Sequence, residues 1–122
     1  MSHIVTVETQ VRDAVAVTAA SERLGWQRPL QGEHRLFTQT VSGLAVFPPA
    51  WRFPVVCELA TGKLHYDNYQ GRWGDERELD RFKQRYAVEK ATIEARRLGR
   101  SVLEQSLSNG TVKLTISAGV HA

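Results

Sequence analysis

The chain predicts an α+β domain, a mainly antiparallel sheet with two helices packed on one face. Three observations predict it. Short β-branched runs separated by turn signals recur in the first half of the chain. One long stripe at helical spacing follows Asp75. Asn109-Gly110 lies between two alternating runs, the strongest short hairpin signal. Within this class a ferredoxin-like sandwich with an extra C-terminal hairpin is expected.

Residues 3–11 alternate, with His3, Val5, Val7, Thr9 and Val11 on one side, and read as a strand with one buried face. Asp13 offers an N-cap, Val17, Ala20 and Leu24 follow at helical spacing, and Gly25 suits the position after the cap. Residues 26–31 read as a connection. Strands are expected over 35–41 and 44–47, with Ser42-Gly43 as the tight turn between them. Pro48-Pro49 ends the second of these. Residues 55–59 form a further strand, Thr61-Gly62 a turn, and residues 64–66 the start of a return strand.

Asp75 and Glu78 have capping-box spacing. Leu79, Phe82, Tyr86, Lys90 and Ile93 then form one stripe, and Gly99 closes a helix with Arg96 and Arg97 at its negative end. A two-residue Asn109-Gly110 turn pairs Leu107 with Val112, Gln105 with Leu114 and Leu103 with Ile116. That register would gather the apolar residues on one face.

At 122 residues, one domain over 1–122 is expected, with a frayed tail over 118–122. The composition, 42% hydrophobic and 24% charged, is that of a globular chain rather than a disordered one. A lone cysteine, Cys57, builds no internal disulfide. No apolar run reaches the roughly 18 residues of a membrane helix, and no secretory signal opens the chain, so a cytoplasmic location is expected. A net charge of +3 falls short of a dedicated nucleic-acid binder.

Five segments, taken in order, carry a resemblance: Met1-Ser2-His3, Glu8-Thr9-Gln10-Val11-Arg12-Asp13, Tyr66-Asp67-Asn68-Tyr69-Gln70-Gly71-Arg72-Trp73-Gly74, Gln84-Arg85-Tyr86-Ala87-Val88-Glu89-Lys90 and Gly110-Thr111-Val112-Lys113-Leu114-Thr115-Ile116. Together they resemble the family called domain of unknown function 1257, whose plastid and cyanobacterial members are termed hypothetical chloroplast reading frame 35. The resemblance implies a compact cytosolic domain. It implies no enzymatic activity and no catalytic residues.

The residues themselves offer no catalytic, cofactor or metal signature. His3, His34, His65 and His121 lack ligand spacing, and His65 with Asp67 is a two-ligand pair where zinc wants three or four. Cys57 sits in an apolar strand, as inert cysteines do. Gly71 and Gly74 make no phosphate-binding motif.

The expected partner surface is Tyr66, Asp67, Asn68, Tyr69, Arg72 and Trp73, since Tyr, Trp and Arg dominate interface hot spots. Trp51 and Arg52, with Phe53, form a second aromatic loop held between prolines. The leading expectation is a binding or adaptor domain with a protein partner, with self-association through a free sheet edge as a variant. The first alternative is single-stranded nucleic acid, held by Arg81, Arg85, Arg96, Arg97 and Arg100 and stacked on exposed aromatics. Interleaved Glu76, Glu78, Asp80, Glu89 and Glu94 speak instead for a solvated, salt-bridged face. The second alternative is a small-molecule or enzymatic site at residues 66–73.

Overall fold

The structure, a computed structural model, describes residues 4–118. The chain divides into two compact units, Met1–Tyr86 and Ala87–Ala122. In the first unit β1 (Val5–Glu8), helix α1 (Ala14–Arg23), β2 (Leu30–Arg35), β3 (Thr40–Val46), β4 (Val55–Glu58) and β5 (Lys63–Tyr66) precede helix α2 (Glu76–Arg97), which begins in this unit and ends in the second.

The five strands form one antiparallel sheet in the order β1-β5-β4-β3-β2. The class is therefore α+β, as the sequence predicts. The strand order differs from that of a ferredoxin-like sheet, which interleaves two βαβ crossovers. Here β2 to β5 form a meander, and the strands flanking α1 occupy opposite edges. Short links between β2 and β5 permit hairpins but no parallel crossover, which needs a dozen residues or more.

Both sheet faces bury apolar groups. Val7, Leu64, Cys57 and Leu44 stand side by side on one face. On the other, Val56 and Ala45 join Leu36 in a buried cluster covered by Ile4, Val41, Phe47 and Phe53. This explains why β4 reads as an unbroken apolar run rather than an alternation. Burial pushes the Cys57 thiol up to about 12. The thiol therefore stays protonated through the neutral range, where the reactive thiolate is scarce. A thiol-specific disulfide reagent should modify Cys57 in the native protein at least tenfold more slowly than in urea. Equal rates would contradict its burial.

Asp13 caps α1, accepting from the amides of Val15 (2.9 Å) and Ala16 (3.4 Å). Gly25, at φ 74°, ends it. The amides of Gly25 and Trp26 return to the carbonyls of Glu22 (3.1 Å) and Ser21 (2.9 Å), a Schellman closure. The Tyr86 hydroxyl accepts from the Arg12 and Asp13 amides, both at 3.1 Å, and donates to the Gln10 carbonyl at 3.3 Å. One side chain of α2 thereby fixes the entry to α1. Trp26 stacks on Phe82, with centroids 5.9 Å apart.

The expected turn at Ser42-Gly43 is a correction. Both residues lie inside β3, and Gly43 is needed because a Cβ there would come within 2.6 Å of the Cys57 carbonyl oxygen. The chain turns at residues 36–39, closed by the Leu36 amide on the Gln39 carbonyl at 2.7 Å. The strand expected over 35–41 is thus the hairpin end of β2 and β3. At the start of α2, Asp75 accepts the Arg77 amide at 2.9 Å, while the Glu78 carboxylate binds Arg81 rather than reaching back. Asp75 thus caps the helix through its second amide rather than its third, and the predicted capping box does not close.

In the second unit, the buried helix residues are Val88 and Ala95, with Lys90 and Ile93 half-buried. The single predicted stripe holds as a buried face only through Tyr86. Gly99, at φ 73°, closes the helix as predicted, with the Arg100 amide on the Ala95 carbonyl at 2.9 Å.

Strands β6 (Ser101–Ser106) and β7 (Val112–Ser117) form the predicted hairpin as a separate two-stranded sheet. Its register is one residue from the expected one: Ser106 pairs with Val112, Glu104 with Leu114 and Val102 with Ile116. Gly110 alone takes positive φ, at 85°, so the loop is the three-residue type with a left-handed glycine. The slip sends Leu103 to the face opposite Val102, Leu114 and Ile116, and Leu103 is 58% exposed. Of the tail expected over 118–122, all but Ala118 lies outside the described residues, as do His3 and His121.

Candidate functional site

Two loops of the first unit meet. The loop after β3 turns through Pro48-Pro49, where the Trp51 amide returns to the Pro48 carbonyl at 3.2 Å. The loop after β5 contains a single 3₁₀ turn, Tyr69–Gly71. They are joined by the Arg52 amide on the Trp73 carbonyl at 2.8 Å. The sequence presents them as separate aromatic segments. In the fold they are one surface.

Three of the expected contact residues serve as its scaffold. Tyr66, Asp67 and Asn68 are buried, with at most 4% exposure, so little of them lies on the surface. Tyr66 donates to Glu76 at 3.2 Å. Burial first, and then the Glu76 carboxylate, push its hydroxyl up to about 12. Asp67 accepts the Tyr69 amide at 3.1 Å. The Asn68 carbonyl accepts the amides of Gly71 (3.1 Å) and Trp73 (2.9 Å), and its side chain donates to the Gly74 carbonyl at 3.1 Å. Trp51 is also structural. Its indole donates to the Asp75 carbonyl at 3.1 Å, and its ring lies so close over Gly74 that a Cβ there would overlap it.

These bonds hold the backbone in an unusual state. Ala50 (φ 63°), Tyr69 (φ 48°) and Gln70 (φ 54°) are left-handed without being glycine, and all three belong to the paired loops. Each costs roughly 1–2 kcal/mol, and such residues persist where their surroundings fix them. Gln70 is exposed. Gln70→Gly should therefore raise stability by about 1 kcal/mol in urea unfolding. A loss of stability would mean that the glutamine side chain supports the turn.

The surface so positioned centres on Trp73. Its ring meets Tyr69, Phe37 and Phe53 edge-on, at centroid distances of 4.7, 5.0 and 5.7 Å. The Arg52 guanidinium lies 4.7 Å above Trp73 and 5.6 Å from Phe53, and that of Arg72 lies 5.3 Å from Tyr69. Both arginines are exposed, and neither guanidinium binds an acceptor among the described residues. Each lies over an aromatic ring with its N–H groups left for an outside acceptor, and a guanidinium's planar donors suit a carboxylate. Phe37, 44% exposed, was not expected here. It reaches the cluster from the β2–β3 turn, which carries no glycine, proline or Asx signal.

The basic residues of α2 are arranged differently. Arg81 pairs with Glu78 at 2.9 Å, Lys83 with Asp80 at 3.6 Å and Lys90 with Glu94 at 3.0 Å, and Arg97 also pairs with Glu94. Arg85 is half-buried, while Arg96 and Arg100 are exposed. His65 faces Thr6 (3.0 Å) and Glu58 (3.9 Å), whereas Asp67 is engaged with Tyr69. Among the described residues no group of three or more His, Cys, Asp or Glu side chains is placed to hold a metal ion. Nor is any described helix long and apolar enough to cross a membrane. No protein-family model, curated protein or solved structure matches the chain.

Proposed function

We propose that the protein is a cytoplasmic binding or adaptor domain, a small subunit of a larger assembly. It docks a carboxylate-bearing protein partner on Arg52, Arg72, Tyr69, Trp73, Phe37 and Phe53. The observation that carries this reading is the pair of exposed guanidinium groups held over Trp73 and Tyr69 without an acceptor among the described residues. Aromatic anchors with planar donors match the composition of interface hot spots. Bidentate arginine–carboxylate bonds would supply specificity.

Nucleic acid is the weaker reading. Bases would have to displace Arg52 and Arg72 from the ring faces on which they would stack, and most cations of α2 are already paired. Membership of the domain of unknown function 1257 family belongs to the same proposal and adds no chemistry to it.

The test is capture from extract of the native host, with wild type and an Arg52→Glu/Arg72→Glu double variant of confirmed fold. Both side chains are exposed, so the variant should fold. A protein retained by wild type and lost by the variant supports the reading. Equal retention, or recovery only of nuclease-sensitive material, contradicts it.

A further inference from the structure

The two sheets leave four outer strands among the described residues, β1 and β2 in one, β6 and β7 in the other. In an antiparallel pair, residues that bond the neighbouring strand alternate with residues whose amide and carbonyl point away from it. Three amide–carbonyl bonds set that alternation: Thr9 to Gly62, Leu36 to Gln39 and Leu107 to Thr111. The outward residues therefore include Glu8 on β1, Glu33 and Arg35 on β2, and Glu104 on β6. Charges so placed keep a sheet edge from pairing. The outward residues of β7 are Val112, Leu114 and Ile116, and none is charged. No backbone bond reaches their outward groups among the described residues. Ile116 is 43% exposed, and Val112 and Leu114 are half-buried. A two-stranded sheet is marginal without further strands or a helix against it, and the open side of β7 is where a further strand can be added.

That edge is complementary to itself. Antiparallel pairing of two β7 strands about Leu114 sets Val112 opposite Ile116 of the second copy, Leu114 opposite Leu114, and Ile116 opposite Val112. Each pair makes two backbone hydrogen bonds, and all three lie on the face that holds Val102, which stands across from Ile116. Lys113 then meets Thr115. Moving the two-fold to Lys113 would oppose two ammonium groups, and moving it to Thr115 would carry Val112 past the end of the partner strand. Pairing through β6 about Glu104 would oppose two carboxylates. We propose that the chain forms a two-fold dimer by antiparallel pairing of β7 with β7 of a second copy, with Leu114 at the axis. The four-stranded sheet so formed ends on two β6 edges, each with Glu104 on the apolar face, so assembly stops at the dimer. Leu103, on β6 and on the opposite face, stays outside the seam.

Sedimentation equilibrium from about 5 to 500 μM tests this. Wild type should pass from monomer to dimer with a dissociation constant on the order of 50 μM. Leu114→Lys and Leu114→Glu should each bind themselves at least tenfold more weakly, because each sets like charges opposite one another. Their equimolar mixture should dimerise again, because position 114 faces itself and lysine then meets glutamate. Amide exchange of the wild type needs no variant. Protection at Val112, Leu114 and Ile116 should rise with protein concentration, while that at Val102 and Glu104 stays constant. A wild type that remains monomeric at about 500 μM would overturn the proposal. So would dimers of both variants as tight as wild type, a mixture that stays monomeric, or concentration-dependent protection on β1, β2 or β6 in place of β7.

Discussion

Gly62→Ala should cost on the order of 4 kcal/mol, a large share of the 5–15 kcal/mol that holds a domain of this size together. Gly62 sits at φ 82°, where an alanine loses roughly 1–2 kcal/mol from backbone conformation alone. Its Cβ would also overlap the Thr9 carbonyl, which is backbone and cannot swing aside. Relieving that overlap means separating the turn from the end of β1. The Thr9 amide and hydroxyl both donate to the Gly62 carbonyl, at 2.9 and 2.5 Å, and Arg12 donates to the Thr61 carbonyl at 3.3 Å. Each bond is worth about 1 kcal/mol. Gly25→Ala is the matched control. It has φ 74° but nothing within 4 Å of an added Cβ, so it should lose only the conformational part. Urea unfolding of the two variants measures the difference. Equal losses would mean that the close approach of Gly62 to Thr9 does not constrain the turn.

Phe82→Ala should destabilise by about 3–5 kcal/mol. Phe82 has no exposed surface, stacks on Trp26 at 5.9 Å and leans on Tyr86 at 6.5 Å. Truncation removes the contact that supports Trp26 and loosens Tyr86, whose hydroxyl fixes the start of α1. Thermal unfolding followed by tryptophan fluorescence reports both effects. Phe82→Leu, which keeps most of the volume, should lose less than half as much. If alanine and leucine cost the same, the aromatic contact rather than the volume governs the site.

What the sequence discloses and what it conceals divide along physical lines. Asp13, Gly25 and Gly99 were legible because caps are local: a side-chain acceptor at one end and a left-handed residue at the other determine where a helix stops. The first half of α2 was legible because Leu79, Phe82 and Tyr86 repeat at the helical period and are all buried. The pairing of β1 with β5 joins residues 59 apart, such as Thr6 and His65, and no local pattern announces it. The turn at 36–39 was hidden because Leu36 plugs the core while its amide closes the loop, so an apolar residue does turn work. Asn109-Gly110 announced a hairpin but admits two loop lengths one residue apart, and the apolar pattern of β6 and β7, which the two-residue loop would gather on one face, favours the register that the chain does not adopt.

The candidate surface was half legible. Arg52, Tyr69, Arg72 and Trp73, drawn from two separate aromatic segments of the sequence, meet in one cluster. Asp67 and Asn68 are polar and yet buried, because they supply the bonds that hold Tyr69 and Gln70 in left-handed backbone. Phe37 joins through tertiary proximity alone.

Photo-crosslinking tests the docking surface most directly. A benzoylphenylalanine placed at position 37 sits on the rim of the Trp73 cluster, at a side chain that is 44% exposed and already aromatic. The same group at position 103, 58% exposed on β6, serves as the comparison. In host extract, position 37 should give a discrete protein adduct that disappears when Arg52→Glu and Arg72→Glu are added, and position 103 should give none. An adduct from position 103 with none from position 37 would place the partner elsewhere and contradict the proposed surface.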